Sequence, residues 1–169
     1  YPAMFWPHKN HVQIVRAVHW LRVKRGLRMG VVFVGDKAER WRAYEEVQHL
    51  AQWLGLEEQI QYLGLVPDED MPSLYRCALA LVMPTYFGPT NIPVEEAFAL
   101  GCPVITSDIR GIREQVEDAG LLVDPRSVEQ IADAVYRIST DEKLRRDLTA
   151  KGSRKSRQYT MEDYGRTML

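Results

Sequence analysis

Two short apolar runs, Ala78-Leu79-Ala80-Leu81-Val82-Met83-Pro84 and Pro103-Val104-Ile105-Thr106, enclose a loop and a helical stretch. That order of strand, loop, helix and strand constrains the fold more than any other feature of the chain. The loop carries Gly88, Pro89, Thr90 and Asn91, and the helix runs from Ile92 towards Gly101. Thr90 or Asn91 suits the cap, Pro93 suits the first turn because its missing N–H would be unpaired there, and Gly101 suits the exit. A helix that opens just beyond a strand points free backbone N–H groups and a partial positive charge into the crevice at the strand end, where anions bind. The same alternation recurs elsewhere. Val31-Val32-Phe33-Val34-Gly35-Asp36 is a continuous apolar run suited to a strand buried on both faces, and Ile60 to Gly64 and Gly120 to Pro125 read as further strands. Strands alternating with helices imply an α/β fold: a parallel sheet with helices on both faces, whose ligands bind beyond the carboxyl ends of the strands.

The intervening segments fit that plan. Tyr1 to Trp6 reads as the end of a strand, followed by Pro7-His8-Lys9-Asn10-His11 and a helix with Ile14, Val15, Val18 and Leu21 on one face. Lys9 thus stands at a strand-to-helix junction, either as a point charge for a phosphate or as a solvated loop lysine; spacing alone does not choose. His8 and His11 lack the nearby carboxylate or thiol cluster that a metal site needs, which favours capping or substrate hydrogen bonds. A second helix carries the stripe Val47, Leu50, Ala51 and Leu54. A loop from Leu65 to Asp70, with Asp68 or Asp70 as a cap, leads into a helix from Met71 to Cys77. Ser107 to Glu114 forms a polar loop that either faces the crevice or caps and solvates its own turn. Ser127 caps a helix through Ile138, and two more helical segments run from Glu142 to about Tyr159 and from Met161 onward. Arg145, Arg146, Lys151, Arg154, Lys155 and Arg157 make the one basic region, read first as a solvated face and second as a contact for an anionic membrane surface.

Composition narrows the function classes. With 169 residues, 46% hydrophobic and 27% charged, the chain suits one globular domain. A formal net charge of -1 supplies no basic field for nucleic acid. Cys77 and Cys102 read as buried thiols in a reducing compartment, with neither a disulfide framework nor metal-ligand spacing. The absence of a long apolar run and of a leader makes a cytosolic protein the expectation.

Helical geometry leaves one choice open. With Val94, Ala97 and Phe98 as the buried stripe, both Glu95 and Glu96 lie off it, and either is a first-turn acid favoured by the helix end or an acceptor for sugar hydroxyls.

The segment Pro84-Thr85, the loop from Gly88 to Ile92, and then Pro93-x-x-Glu96-Ala97-Phe98-Ala99-x-Gly101-x-Pro103-Val104-Ile105-x-Ser107-Asp108-x-x-Gly111-x-x-Glu114 resemble the C-terminal domain of a family 4 glycosyltransferase of the GT-B fold. The resemblance covers nearly the whole chain. It implies a Rossmann-like donor-binding half, residues 1–169, whose N-terminal acceptor-binding domain is not in this chain. In that family two glutamates with seven residues between them face the nucleotide sugar; the second, which contacts the ribose, falls on Glu96, while the first falls on Gly88 and is absent. This chain resembles a subgroup reading Gly-Pro-Thr-Asn-Ile-Pro, in which backbone groups of Gly88, Pro89, Thr90, Asn91 and Ile92 take over the missing contacts. The family's diphosphate-binding lysine matches Lys9, and an arginine usually five residues earlier falls on Met4. Gly35 lies at a strand end beside the same crevice, and Val66 lies in the loop that borders the base.

The implied activity is retaining transfer of a hexose, with mannose suggested by the subgroup's look, from a nucleoside diphosphate sugar to a glycan or lipid-linked acceptor. No cofactor or metal is expected. Lys9 and Glu96 are the expected catalytic residues, and the domain alone is expected to bind nucleotide without turnover. The expected location is cytoplasmic, with peripheral membrane contact through the full enzyme as an addition. The alternative is a doubly wound binding or receiver-like regulatory domain, with Asp36 and Asp108 at strand ends but without the lysine on a late strand that a receiver requires.

Overall fold

The structure, a computed structural model, describes residues 1–88 and 91–157 apart from the Glu39 side chain. Pro89, Thr90 and residues 158–169, with the helical segment expected from Met161, lie outside the described residues. The described strands are β1 (Val31–Phe33), β2 (Ile60–Tyr62), β3 (Leu81–Met83), β4 (Val104–Ser107) and β5 (Leu121–Val123). The helices are α1 (His11–Arg25), α2 (Ala43–Trp53), α3 (Met71–Cys77), α4 (Ile92–Ala99), α5 (Ile112–Val116), α6 (Val128–Thr140) and α7 (Glu142–Ser156), with short 3-10 turns at Pro7–Lys9 and Glu39–Trp41.

Every described strand pair is parallel, as the alternation predicts, but the sheet is divided: β1 pairs with β2, and β4 lies between β3 and β5. Among the described residues no strand joins β1 to β3. The N-terminal segment follows the free edge of β1 only near its carboxyl end, where Pro2 bridges Val34, Ala3 N–H donates to the Val34 carbonyl at 2.8 Å and Phe5 N–H to that of Asp36 at 3.0 Å. The run from Val31 to Asp36 is therefore not a strand buried throughout. Val31 and Val32 are half-buried, while Phe33 and Val34 are buried.

Three apolar clusters hold the layers together. Phe5, Ile14, Val15, Val18, Phe33 and Val47 pack α1 and α2 on the β1–β2 sheet. Met83, Val94, Ala97, Phe98, Val104 and Ile112 pack α4 and α5 on the other, and Leu21, Ile105, Ile131 and Ile138 join α1 to α6 behind it. The buried stripes expected on α1 and α4 appear as read. Two expectations are corrected. Cys102 is buried but Cys77 is exposed, because Cys77 lies two residues beyond buried Tyr75 and helical geometry turns it to nearly the opposite side of α3. The basic region is also less of a solvated face than its charge suggests. Lys155 is buried with Nζ 2.9 Å from Glu117, Lys151 lies 3.1 Å from both Asp118 and Asp147, and Arg146 pairs with Glu142.

Candidate functional site

The carboxyl end of β3 and the start of α1 are stitched together by Asn10. This residue is buried in the left-handed region, at φ 63, and its Nδ2 donates to the Pro84 carbonyl at 2.7 Å and to that of Pro125 at 2.8 Å. A second stitch sits one turn earlier. Tyr86 N–H donates to the His8 carbonyl at 2.8 Å, and Thr85 Oγ1 lies 3.0 Å from the same oxygen. The 3-10 turn ending in Lys9 is thereby fixed against the loop that leads to Gly88. Lys9 is half-buried, burial lowers its pKa from the ordinary lysine value, and among the described residues it forms no ion pair. A cation held partly out of water without a counter-charge is a group that a bound anion stabilises.

Gly88 has φ 139, and a Cβ there would stand 3.2 Å from Asn91 Oδ1. Asn91 occupies the cap position of α4, but its side chain does not cap; its Nδ2 is buried and, among the described residues, unpartnered. Gln115 of α5 holds the backbone there instead. Its Oε1 accepts from Asn91 N–H at 3.1 Å, while its Nε2 lies 3.0 Å from the Asn91 carbonyl and 2.9 Å from Glu95 Oε1. Pro93 stands in the first turn as expected, and Ile92 is exposed at the mouth. Pro89 and Thr90, named as site residues from the sequence, lie outside the described residues.

The two glutamates point in different directions. Glu95 is engaged by Gln115 on the α5 side. Glu96 accepts a hydrogen bond of 2.6 Å from Tyr75 Oη, on the α3 side, and is otherwise exposed. The Tyr75 phenol is pushed above its ordinary pKa by burial first and by that bond second, so it stays a donor. α3 follows the loop of residues 63–70, and the Tyr75 bond therefore links Glu96 to the helix behind that loop. Val66 is half-buried there, and neither its N–H nor its carbonyl has a hydrogen-bond partner among the described residues. Asp70 takes the cap position of α3 without a side-chain capping bond.

Gly35 has a structural reason of its own, whatever its part in binding. Its N–H donates to the Gly64 carbonyl at 2.8 Å and its carbonyl accepts from Tyr62 Oη at 2.9 Å, while a Cβ would stand 2.5 Å from the Ala3 carbonyl oxygen. Close passage of the N-terminal backbone accounts for the glycine. The polar residues from Ser107 to Glu114 are largely engaged in structural bonds. Ser107 Oγ donates to the Thr85 carbonyl, Asp108 pairs with Arg113 at 2.6 Å, and Glu114 accepts from Gly111 N–H. Beside it, a cavity of about 390 Å³ is lined by Tyr86, Phe87, Gly88, Ile109 and Arg110 among others. Arg110, Gln115 and Tyr75 had no motif to mark them in the sequence. Asp36 turns its carboxylate onto Ala38 N–H at 2.7 Å, and among the described residues no three His, Cys, Asp or Glu side chains gather as a metal site.

His11 neither caps nor faces the crevice. It is buried, its ring stacks on Phe5 at 4.2 Å, and burial lowers its pKa to about 3. The unfolded chain takes up a proton at this residue near pH 6.5 that the folded chain refuses, so stability is present above that pH and is lost as pH falls towards 3. The expected slope is at most about 1.4 kcal/mol per pH unit. Denaturant titrations across that window should show it, and His11→Phe should flatten it; an unchanged slope in the variant would assign the acid sensitivity elsewhere.

The family described as "Glycosyl transferases group 1" matches residues 1–155. O-antigen chain mannosyltransferase B of Escherichia coli is 31% identical over 159 residues, which cover 93% of this chain and 40% of that protein. Among solved structures, the C-terminal domain of a glycosyl transferase group 1 family protein, LpcC of Francisella tularensis, superposes with a TM-score of 0.80 at 25% identity, over 94% of this chain and 82% of that one. HepE of Anabaena, crystallised in complex with UDP-glucose, superposes with a TM-score of 0.82 at 21% identity, over 93% of this chain and 43% of that one. This chain thus spans less than half the length of the curated relatives it matches. Among the described residues no helix is long and apolar enough to cross a membrane.

Proposed function

The chain belongs to the glycosyl transferases group 1 family, and from that membership we propose that it is the donor-binding half of a retaining hexosyltransferase. Its substrate is a nucleoside diphosphate sugar, and its acceptor, a glycan or lipid-linked saccharide, is held by a further domain of the whole enzyme. The observation that carries this reading is the stitch between His8 and residues 85–86, next to which Lys9 in the chain is half-buried and without an ion-pair partner among the described residues. Similarity to a mannosyltransferase supports mannose as the sugar transferred.

Transfer leaves charge on the departing diphosphate. Lys9 and the N-terminus of α4 are placed before the reaction to meet that charge, so little reorganisation is needed as it develops. Backbone groups from Gly88 to Ile92, with the Asn91 Nδ2 that has no partner among the described residues, approach the sugar and phosphates in place of the missing glutamate. Val66, whose backbone groups have no partner among the described residues, offers them to the base. Glu96 accepts from the ribose hydroxyls while Tyr75 fixes its carboxylate from behind. We assign no general base to this chain, and the reaction as proposed calls for no metal or cofactor.

The Glu96 assignment makes a direct test. A hydrogen bond to a charged group is worth roughly 1.5 to 3 kcal/mol, so Glu96→Gln should weaken nucleotide binding on the order of tenfold or more. Glu95→Gln should change it little, since Gln115 already occupies Glu95. Tyr75→Phe should give a smaller loss than Glu96→Gln. The 2′-deoxy nucleotide serves as control: wild type should discriminate against it and Glu96→Gln should not. Equal losses from the two glutamate variants, with stability unchanged, would reduce both to general charge at the helix end.

A further inference from the structure

Three aromatic rings form a shelf beside the carboxyl end of β3. Trp6 lies 5.5 Å from His8, and His8 lies 6.3 Å from Phe87, centroid to centroid, so the rings run in series from the turn before α1 to the loop after β3. The Tyr86 N–H bond to the His8 carbonyl, at 2.8 Å, fixes the two segments to each other. Trp6 and Tyr86 are exposed, and Phe87 is 70% exposed. Large apolar side chains grouped in water mark a surface that meets a ligand or a partner. The shelf carries no charge at neutral pH, since burial first and the neighbouring Lys9 second lower the His8 pKa and keep its imidazole neutral. Beyond Phe87 the shelf opens on the cavity of about 390 Å³ between the loops after β3 and β4, a volume within the range of small-molecule sites. Its rim holds one group of each sign. Arg110 is exposed and forms no ion pair among the described residues. Glu114 is exposed, and its Oε2 accepts from Gly111 N–H at 2.5 Å. Residues 108–114 contain two arginines and two acids, so their formal charges cancel. A guanidinium only donates and a carboxylate only accepts, so a ligand lying between Arg110 and Glu114 must do both. Hydroxyl groups do both, whereas an anion would be attracted by Arg110 and repelled by Glu114.

We propose that the Trp6–His8–Phe87 shelf and the cavity beside it form a subsite for a neutral saccharide, against which the acceptor glycan lies while its reacting hydroxyl meets the donor. The proposal rests on the reading of this chain as the donor-binding half of a hexosyltransferase, and it adds to that reading a share in holding the acceptor. The chemistry of both parts fits a sugar. The negative face of an aromatic ring attracts the polarised C–H bonds on one face of a sugar ring, and Arg110 and Glu114 offer a donor and an acceptor to the hydroxyls at its edge. Position fits as well. Gly88, whose backbone is proposed to approach the donor, also lines the cavity, so a saccharide seated there ends next to the sugar to be transferred. A further domain of the whole enzyme could cover an apolar shelf, but it has no need of the paired donor and acceptor on the cavity rim.

Amide NMR of the isotope-labelled chain, titrated with α-linked mannotriose, maltotriose and inorganic phosphate, tests this. Mannotriose should shift the amides of Phe87 and Arg110 and saturate with a dissociation constant on the order of millimolar. Phe87→Ala and Arg110→Met should each weaken that binding by about tenfold and leave the affinity for nucleoside diphosphate unchanged. Both side chains are exposed, and the rest of the amide spectrum shows that the variants are folded. No shift at Phe87 or Arg110 with either trisaccharide, in a chain that binds nucleotide, would overturn this proposal alone. A response to phosphate without a response to sugar would overturn it too, as would equal losses of nucleotide and saccharide binding in the variants, since the cavity would then belong to the donor. Failure to bind nucleotide would remove the donor reading and this proposal with it. In the full-length protein, hydroxyl-radical labelling of Phe87 should be free without sugar and suppressed by mannotriose; suppression without sugar would give the shelf to another domain and overturn the proposal.

Discussion

Gly35→Ala is expected to lower the stability of this domain by roughly 3 kcal/mol or more, among the largest effects of any single methyl group in the chain. Gly35 has φ 137, and the added carbon would stand 2.5 Å from the Ala3 oxygen and 2.7 Å from the Ala3 carbonyl carbon. Both are backbone atoms, which cannot swing aside as a side-chain end does. Relief requires the N-terminal segment to leave β1, and that segment leads directly into the turn that carries Lys9. Urea unfolding should show a lower midpoint with an unchanged slope. Gly30→Ala is the matched control, because a Cβ there meets nothing within 4 Å. Equal stability of the two variants would refute the close-approach explanation.

Lys9→Met should reduce transfer by the full-length enzyme by about 100- to 1,000-fold, the usual consequence of removing one pre-placed group that meets developing charge. Stability should hold or rise slightly, since the variant removes a half-buried charge that has no ion-pair partner among the described residues. That combination separates a ligand-binding lysine from a structural one. The value of kcat/KM should also fall on the alkaline side, because burial lowers the Lys9 pKa in the donor-free protein and the ammonium is lost as pH rises through it. A variant with wild-type turnover would remove Lys9 from the mechanism.

The parts of this account legible in the sequence are those set by local chemistry. The helix from Ile92 with Pro93 in its first turn, the α1 face of Ile14, Val15, Val18 and Leu21, and the Ser127 cap all follow from residue type and spacing, and the structure contains them. What spacing could not supply are contacts made across elements. Glu95 and Glu96 are adjacent on α4 and equally off its buried stripe; they differ only through Gln115 on α5 and Tyr75 on α3. Asn10 reads as one more polar loop residue until it is seen joining the exits of β3 and β5. Gly35 reads as part of a ligand-facing strand end, yet its backbone groups are spent on Gly64 and Tyr62. The divided sheet is invisible for a related reason: an apolar run such as 31–34 reports that a strand suits burial, and burial also requires a neighbour on each edge.

Calorimetric titration of this chain with GDP, UDP and ADP asks only whether the crevice proposed for Lys9, α4 and Glu96 accepts a nucleoside diphosphate. Saturable binding of at least one of the three below millimolar concentration is expected, weakened by Lys9→Met. No binding of any of the three at millimolar concentration, by a chain shown to be folded, would contradict it.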